Sequence, residues 1–142
     1  MFKGKSKADF RARREMVGLT QQDIADALGV DVRSVKRWER EGFNDPPGRA
    51  WDVIEEFEER FGEAVTVSTD MALANAQAFG TDQVTLTIYR SKEDYDALGR
   101  DEGRYGFVNA VTFEVAKLLD IEGMKVAFRY PATKKLNKTR RF

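Results

Sequence analysis

Three cationic side chains, Arg33, Lys36 and Arg37, lie within the segment DVRSVKRW (31–38). A spacing of three and four residues brings side chains to one side of a helix, so these cations are expected to share an exposed surface with Val32. A guanidinium is planar and donates two parallel hydrogen bonds, which suits paired acceptors such as phosphate oxygens or the edge of guanine. The segment therefore predicts a surface that binds an anionic partner rich in acceptors.

Two short helices are predicted to hold these cations in place. Thr20 can cap the first helix, with Asp23 three residues later as a shortened capping box, and Asp31 can cap the second. Gly29 stands where a left-handed residue ends a helix. The residues expected to face inward are Ile24, Ala25, Leu28, Val30, Val35 and Trp38. This layout is that of a helix-turn-helix, which inserts its second helix into the DNA major groove; the alternative is a plain helical hairpin with a solvated basic face.

The stretch LTQQDIADALGVDVRSVKRWEREG (19–42) resembles the Cro/repressor, or XRE-like, class of helix-turn-helix regulators, and the likeness covers about residues 7–61. The resemblance implies a DNA-binding transcription regulator. It implies base contacts from Val32, Arg33, Lys36 and Arg37, and phosphate contacts from Thr20, Gln21, Gln22 and Ser34. Arginine is the commonest reader of guanine, whereas Val32 stands where the family often has a polar residue. The resemblance also implies a structural ion pair between Arg14 and Glu39 that fixes the recognition helix.

Composition excludes several kinds of chemistry. The 142 residues contain no cysteine and no histidine, which excludes disulfides, thiolate chemistry, histidine-based triads and zinc sites of the usual kind. No catalytic residue, metal site or cofactor is predicted, so the chain is not expected to be an enzyme. No run of 18 apolar residues occurs, and a signal peptide is not expected because the stretch KGKSKADFRARR (3–14) has no apolar core. Membrane association is therefore not expected, and a cytoplasmic location is.

The formal net charge is zero, but the charges are unevenly spread along the chain. Residues 1–49 carry 11 Lys and Arg against 8 Asp and Glu, residues 50–133 carry 8 against 16, and residues 134–142 carry 5 against none. The acidic middle is not expected to touch nucleic acid, unlike the basic first part. The basic tail, residues 132–142, is expected to be disordered, and it either adds non-specific nucleic-acid affinity or has no such role.

The first 62 residues are predicted to form a DNA-binding bundle of four helices. The first helix is expected at about 7–17 and the fourth at about 47–61. The fourth carries an apolar stripe at spacings of three and four, made of Trp51, Ile54, Phe57 and Phe61. Residues 63–83 are expected to be a connecting segment with a helix at about 69–79. A strand at AVTVS (64–68) at its start and one helix throughout are the alternatives.

Residues 84–131 are predicted to form a small domain in the order β-α-α-β. Strands are expected at 84–90 and 124–130, and helices at 92–98 and about 107–119. The predicted fold class is therefore α+β: a mainly α helix-turn-helix bundle of four helices, followed by a small β-α-α-β dimerisation domain. Two strands alone are marginally stable, so pairing with a second copy is expected to enlarge the sheet. The expected dimer interface is Val108, Val111, Val115 and Leu118. Core or interface packing is expected of Tyr89, Tyr95 and Tyr105, with a ligand pocket as the alternative.

The segments TIYRSKEDYDAL (87–98) and VAKLLDIEGMKVAF (115–128) resemble the C-terminal region of anti-CRISPR-associated regulators. That resemblance implies a homodimer that represses its own operon, and some members of that group also bind RNA. One recognition helix reads about four or five base pairs, too few to define a genomic site, so a dimer on an inverted repeat is expected. The predicted function is an autoregulatory homodimeric repressor that binds double-stranded DNA. The alternative is an antitoxin that binds a toxin protein and autoregulates its operon.

Overall fold

The computed structural model describes residues 2–99 and 104–132, and the chain divides into two compact units between Glu63 and Ala64. In chain order, the elements of the described residues are α1 (Lys7–Met16), α2 (Gln21–Leu28), α3 (Val32–Trp38), α4 (Gly48–Phe79), β1 (Gln83–Thr87), α5 (Lys92–Leu98), α6 (Tyr105–Ile121) and β2 (Lys125–Arg129). The first unit contains α1, α2, α3 and the start of α4, and the second contains the rest. The predicted α+β class, mainly α, is confirmed.

Each helix of the first unit contributes a fully buried side chain to one core. Phe10 of α1, Ile24 of α2, Val35 of α3 and Ile54 of α4 are all inaccessible to solvent. The Phe10 ring also lies edge-on to Trp51, with 5.2 Å between ring centroids. Burial of one such side chain stabilises a fold by about 1.5 to 3 kcal/mol, so this core holds α3 firmly in the unit.

Polar caps determine where α1 and α2 begin. At α1 the Asp9 N–H donates to Ser6 Oγ over 3.0 Å, and the Ser6 N–H donates back to the Asp9 carboxylate over 2.9 Å. Thr20 and Asp23 form the same reciprocal capping box at α2, at 3.0 and 2.8 Å. Gly29 follows α2 with a φ of +67°, the left-handed conformation that its place in the sequence predicts.

The helix α4 differs from the favoured sequence prediction, which separated a bundle helix from a connecting helix at about 69–79. It runs without interruption from Gly48 to Phe79, as in the alternative of one helix throughout. The intervening segment contains β-branched residues, which have modest helix propensity. Two of them, Val65 and Thr69, lie one turn apart and are buried within the second unit. Tertiary packing therefore outweighs local propensity here.

The second unit contains a two-stranded parallel sheet. In its register Val84 lies beside Val126, and Leu86 lies beside Phe128. These four side chains share one face, and that face packs against α6, where Phe113 meets the Phe128 ring with 6.3 Å between centroids. The predicted order β-α-α-β is confirmed, with α5 and α6 forming the crossover that a parallel pair requires.

The strand β1 ends at Thr87, before the predicted end at residue 90, because the Asn109 side chain hydrogen-bonds to both backbone groups of Tyr89. The Tyr89 N–H donates to Asn109 Oδ1 over 2.9 Å, and Asn109 Nδ2 donates to the Tyr89 carbonyl over 2.7 Å. The Tyr89 ring then lies edge-on to buried Tyr95, with 4.8 Å between centroids. Tyr95 is buried and Tyr89 is partly exposed, and the two rings pack against each other.

None of the helices within residues 2–99 and 104–132 combines the length and the apolar composition that crossing a membrane requires. The predicted basic tail lies, from residue 133 onward, outside the described residues.

Candidate nucleic-acid interface

The turn between α2 and α3 is tight and is closed by the backbone. Three residues separate Leu28 from Val32. The Val30 N–H donates to the Ala25 carbonyl over 3.0 Å, which satisfies a carbonyl at the end of α2. Ala25 itself is fully buried, as expected where a small side chain lets two helices approach. The sequence-predicted helix-turn-helix geometry is therefore present.

The recognition helix α3 has one buried side and one exposed side. Val35 and Trp38 point into the core. Arg33, Lys36 and Arg37 are exposed, while Val32 and Ser34 are partly exposed. The three cations predicted to contact bases thus lie on solvent-facing positions of a helix whose opposite side is anchored.

The first turn of α3 is organised by its N-cap, Asp31. The Arg33 N–H donates to Asp31 Oδ1 over 2.8 Å, and the Arg33 guanidinium Nε approaches the same oxygen at 3.2 Å. These hydrogen bonds from Arg33 lower the pKa of the Asp31 carboxyl below its ordinary value. The Arg33 side chain nevertheless remains largely exposed, so it stays accessible to a partner while Asp31 restricts its orientation.

Arg14 of α1 and Glu39, directly after α3, form a bidentate ion pair. Arg14 Nε and Nη2 each donate to a Glu39 carboxylate oxygen over 2.7 Å, and the two side chains are only 8% and 3% exposed. Arg14 Nη1 also donates to the Leu19 carbonyl over 2.8 Å, and Gln21 Nε2 donates to Glu39 Oε1 over 3.2 Å. The structure thus brings together the two residues that the sequence paired, and it connects α1, the start of α2 and the end of α3.

A second buried cation, Lys7, supports the same C-terminal end of α3, and the sequence does not predict it. Its Nζ donates to the carbonyls of Arg37, Trp38 and Asn44 over 3.2, 3.1 and 2.7 Å, and the residue is 7% exposed. The nearest carboxylate, on exposed Asp45, is 3.8 Å away. A cation at a helix C-terminus satisfies its last carbonyls and interacts favourably with the helix dipole. No sequence spacing reveals this role, because the acceptors are backbone groups about thirty residues away in the chain.

Arg13 is a further structural cation that the sequence did not reveal. It donates to both carboxylate oxygens of Glu58 on α4, over 2.9 and 2.6 Å, and its guanidinium lies 5.2 Å from the centroid of the Trp51 ring. These hydrogen bonds to Glu58 raise the pKa of Arg13 above its ordinary value. Of the cations on α1, Lys7, Arg13 and Arg14 are therefore used to fix the bundle.

The start of α2 carries the predicted phosphate-contacting residues. The capping box occupies the N–H groups of Thr20 and Asp23. The N–H groups of Gln21 and Gln22 belong to the first turn, where a helix offers no backbone acceptor of its own. Gln22 Nε2 donates to Asp26 over 2.8 Å on the surface. Ser34 lies elsewhere, in α3, with its N–H donating to the Asp31 carbonyl over 3.0 Å.

The residues predicted for a dimer interface lie on α6 in the second unit. Val111 and Val115 are 8% and 2% exposed within the single chain, whereas Val108 and Leu118 are partly exposed. The first two therefore belong to the core of the unit itself, and the last two retain surface for a partner.

Comparison with known families agrees with this geometry. Residues 10–49 match a family model described as helix-turn-helix, and the match lies entirely within the first unit. It covers less than half of the chain and none of the second unit. No curated protein matches the chain. The matched family consists of DNA-binding regulators and not of enzymes. The chain therefore carries a helix-turn-helix of the type with which transcription regulators bind double-stranded DNA.

Proposed function

We propose that this protein is a cytoplasmic, homodimeric repressor that binds an inverted-repeat operator and represses its own operon. The observation that carries the proposal is the recognition helix, with exposed Arg33, Lys36 and Arg37 on one side and a buried anchor on the other. A helix that reads bases must present its side chains from a fixed backbone, since an error of about 1 Å disrupts a bidentate hydrogen bond.

Base reading is assigned to four residues of α3. Arg33 and Arg37 can each donate two hydrogen bonds to guanine O6 and N7, and Lys36 can donate to the same acceptors. Val32 can contact the methyl group of thymine. Asp31 leaves the Arg33 side chain exposed while limiting the orientations it samples, which favours one base position over many.

Phosphate contacts position the helix without reading sequence. The hydroxyl of Thr20, the first-turn N–H groups of Gln21 and Gln22, and the hydroxyl of Ser34 are the assigned donors. A helix N-terminus favours an anion because its N–H groups and its dipole both point toward the ligand.

A single protomer reads too little DNA to find one site among many competing ones. Two copies related by a two-fold axis would read two half-sites about 34 Å apart, one turn of the double helix. The exposed parts of Val108 and Leu118, backed by buried Val111 and Val115, are proposed to contribute to the dimer.

The experiment is an electrophoretic shift at about 150 mM salt with the DNA directly upstream of the gene, since phosphate contacts make affinity depend on salt. The test variant is Arg33→Ala/Arg37→Ala. The matched control, Arg11→Ala/Arg60→Ala, removes two exposed arginines of the same unit that are paired with Glu15 and Glu56. We expect specific binding by the wild type and by the control, and loss of binding by the test variant.

Three outcomes would contradict the proposal. Equal binding to scrambled DNA would show that the protein does not read sequence. No binding at all would show that the upstream DNA contains no operator for this protein. The next search would then be for an RNA partner or for a protein partner, the latter as expected of an antitoxin. Equal losses in both double variants would assign Arg33 and Arg37 to general electrostatics instead of base reading.

A further inference from the structure

The sheet of the second unit has one strand edge whose backbone groups point away from the ladder. The Lys125 N–H donates to the Asp82 carbonyl over 2.7 Å. At the other end, the Ile88 N–H donates to the Arg129 carbonyl over 3.0 Å. Together with the register of the pair, these bonds assign the even-numbered residues of β1 to the ladder with β2. In a parallel pair alternate residues direct both backbone groups to the partner strand, so the odd-numbered residues of β1 direct theirs outward.

The outward groups belong to Gln83, Thr85 and Thr87. Within the described part of the chain, none of the backbone bonds connects Thr85 or Thr87 to a further strand. The Gln83 N–H is held by the Thr81 hydroxyl over 3.1 Å, a local bond that a strand partner can replace. Proteins usually blunt such an edge with charge, proline or a bulge. The β1 segment QVTLT has none of these, whereas β2, KVAFR, begins and ends with a cation.

An apolar groove runs beside this edge. It has a volume of about 420 Å³ and lies between the second half of α4 and β1. Met71 and Phe79 line it from α4 and are 60% and 84% exposed, and Val84 and Leu86 line it from the inner face of β1. Large apolar side chains on the surface next to an open strand indicate a binding surface for another strand with apolar residues on the same face.

We propose that the occupant is a second copy of β1, paired antiparallel about a two-fold axis through Thr85. This inference rests on the homodimer of the proposed function and adds the β1 edge to the surface that forms it. In that register Thr85 faces Thr85 of the other copy, and Gln83 faces Thr87. All three residues have outward backbone groups, so every position that must bond across the axis can do so.

The same register matches side chains and charges. Val84 comes opposite Leu86 of the other copy, which extends the inner apolar face over the groove, and threonine pairs are favourable across antiparallel strands. Asp82 precedes β1 and Arg90 follows it, so antiparallel pairing brings unlike charges to each end of the joined strands. Parallel pairing would bring like charges together. The result is a four-stranded sheet in place of two marginal strands.

The absence of natural cysteine makes a direct test possible. The variant is Thr85→Cys in the full chain, oxidised under mild conditions and analysed without reductant. Hydrogen-bonded antiparallel partners have Cα atoms about 5.5 Å apart, within the range that a disulfide spans. The matched control is Thr87→Cys, which has the same residue type, strand and sheet face. Its two copies would be about 14 Å apart, four residues along a strand, and cannot be bridged.

We expect Thr85→Cys to form a covalent dimer and Thr87→Cys to remain monomeric on the denaturing gel. An equimolar mixture of Gln83→Cys and Thr87→Cys chains is expected to form a mixed disulfide that neither variant forms alone. Crosslinking of Thr87→Cys to the same extent as Thr85→Cys would overturn the register.

Sedimentation equilibrium of the uncrosslinked wild type separates this inference from the proposed function. A mass of twice the 16.2 kDa chain, together with no Thr85→Cys crosslink, would show that the homodimer forms through a surface other than the β1 edge. A mass of 16.2 kDa would overturn both the edge and the homodimer, while the DNA shift would still report on base reading.

Discussion

The two units of this chain differ in how much of their apolar side-chain surface they bury. The first unit encloses a core with fully buried residues from each helix and ties its recognition helix with buried cations. The second unit leaves more large apolar side chains at its surface than the first, in which Phe2, Met16 and Phe43 are exposed. Those on α4, α6 and β2 are Val67, Met71, Phe79, Phe113, Ile121 and Phe128. The first unit presents the exposed cations of α3 on an anchored helix, and the second exposes the apolar surface on which the proposed dimer depends.

Charged side chains serve two different purposes in the first unit. In the first unit Arg14, Lys7 and Arg13 are buried and bonded to acceptors at fixed places, whereas the cations of α3 stay exposed. Buried charges are costly to leave unpaired, and each of these cations has its acceptors within the folded unit. The predictions below test this division from the largest expected effect to the smallest.

Removing Arg14 is expected to have the largest effect on stability. Arg14→Ala leaves the Glu39 carboxylate buried without its partner, and breaking such a pair lowers the free energy of unfolding by about 3 to 5 kcal/mol. The measurement is urea unfolding followed by circular dichroism. Arg11→Ala is the control, because Arg11 is exposed and pairs with exposed Glu15. A loss for Arg14→Ala no larger than for Arg11→Ala would show that the buried pair does not hold the bundle.

Replacing Lys7 is expected to have the next largest effect. Lys7→Met keeps the aliphatic stem but removes the ammonium from three carbonyls, and hydrogen bonds to charged groups contribute about 1.5 to 3 kcal/mol. DNA affinity should fall with stability, since the end of α3 loses its support. Lys3→Met, at an exposed position of the same charge, is the control and should match the wild type. An unchanged unfolding midpoint for Lys7→Met would show that the Lys7 ammonium does not stabilise the first unit.

Replacing a base reader is expected to affect binding and not folding. Arg37→Ala should lose about 1 to 3 kcal/mol of binding free energy at one base position if Arg37 is a bidentate reader. The measurement is affinity for a set of single-base operator variants, beside an unfolding curve that should match the wild type. Uniform weakening across all variants would instead make Arg37 a phosphate contact.

Acid is expected to have the smallest effect, and only at low pH. Hydrogen bonds lower the pKa of Asp9 and of Asp31 below the ordinary value of 3.8, with Ser6 and Arg33 as the donors. Their contribution is therefore complete above that value and is lost as the pH falls through the lowered pKa. With no histidine in the chain, the urea midpoint should be flat between about pH 5 and 7. A marked fall within that window would contradict this assignment.

Much of the first unit could be predicted from sequence because its signals are local. Thr20, Gly29 and Asp31 each act within a few residues of their own position, through a cap or a left-handed turn. Arg14 and Glu39 were paired through family resemblance, and the structure places them in contact. Lys7 could not be assigned, because its acceptors are carbonyls that only the folded chain brings to it.

Less of the second unit could be predicted from sequence, because several of its features depend on long-range contacts. The order of its strands and helices follows from local pattern, but the continuity of α4 does not, because the burial of Val65 and Thr69 overrides a segment of modest helix propensity. The parallel pairing of β1 and β2 and the open edge at Thr85 depend on long-range register. Neither leaves a signal in the spacing of residues.

The most direct test of the central claim is a hydroxyl-radical footprint of the wild-type protein on the DNA upstream of its gene. Base reading by a two-fold pair of recognition helices predicts two protected half-sites about one helical turn apart, with protection lost in Arg33→Ala/Arg37→Ala. Uniform protection along the fragment, or an unchanged footprint in that variant, would contradict the claim that α3 reads an operator.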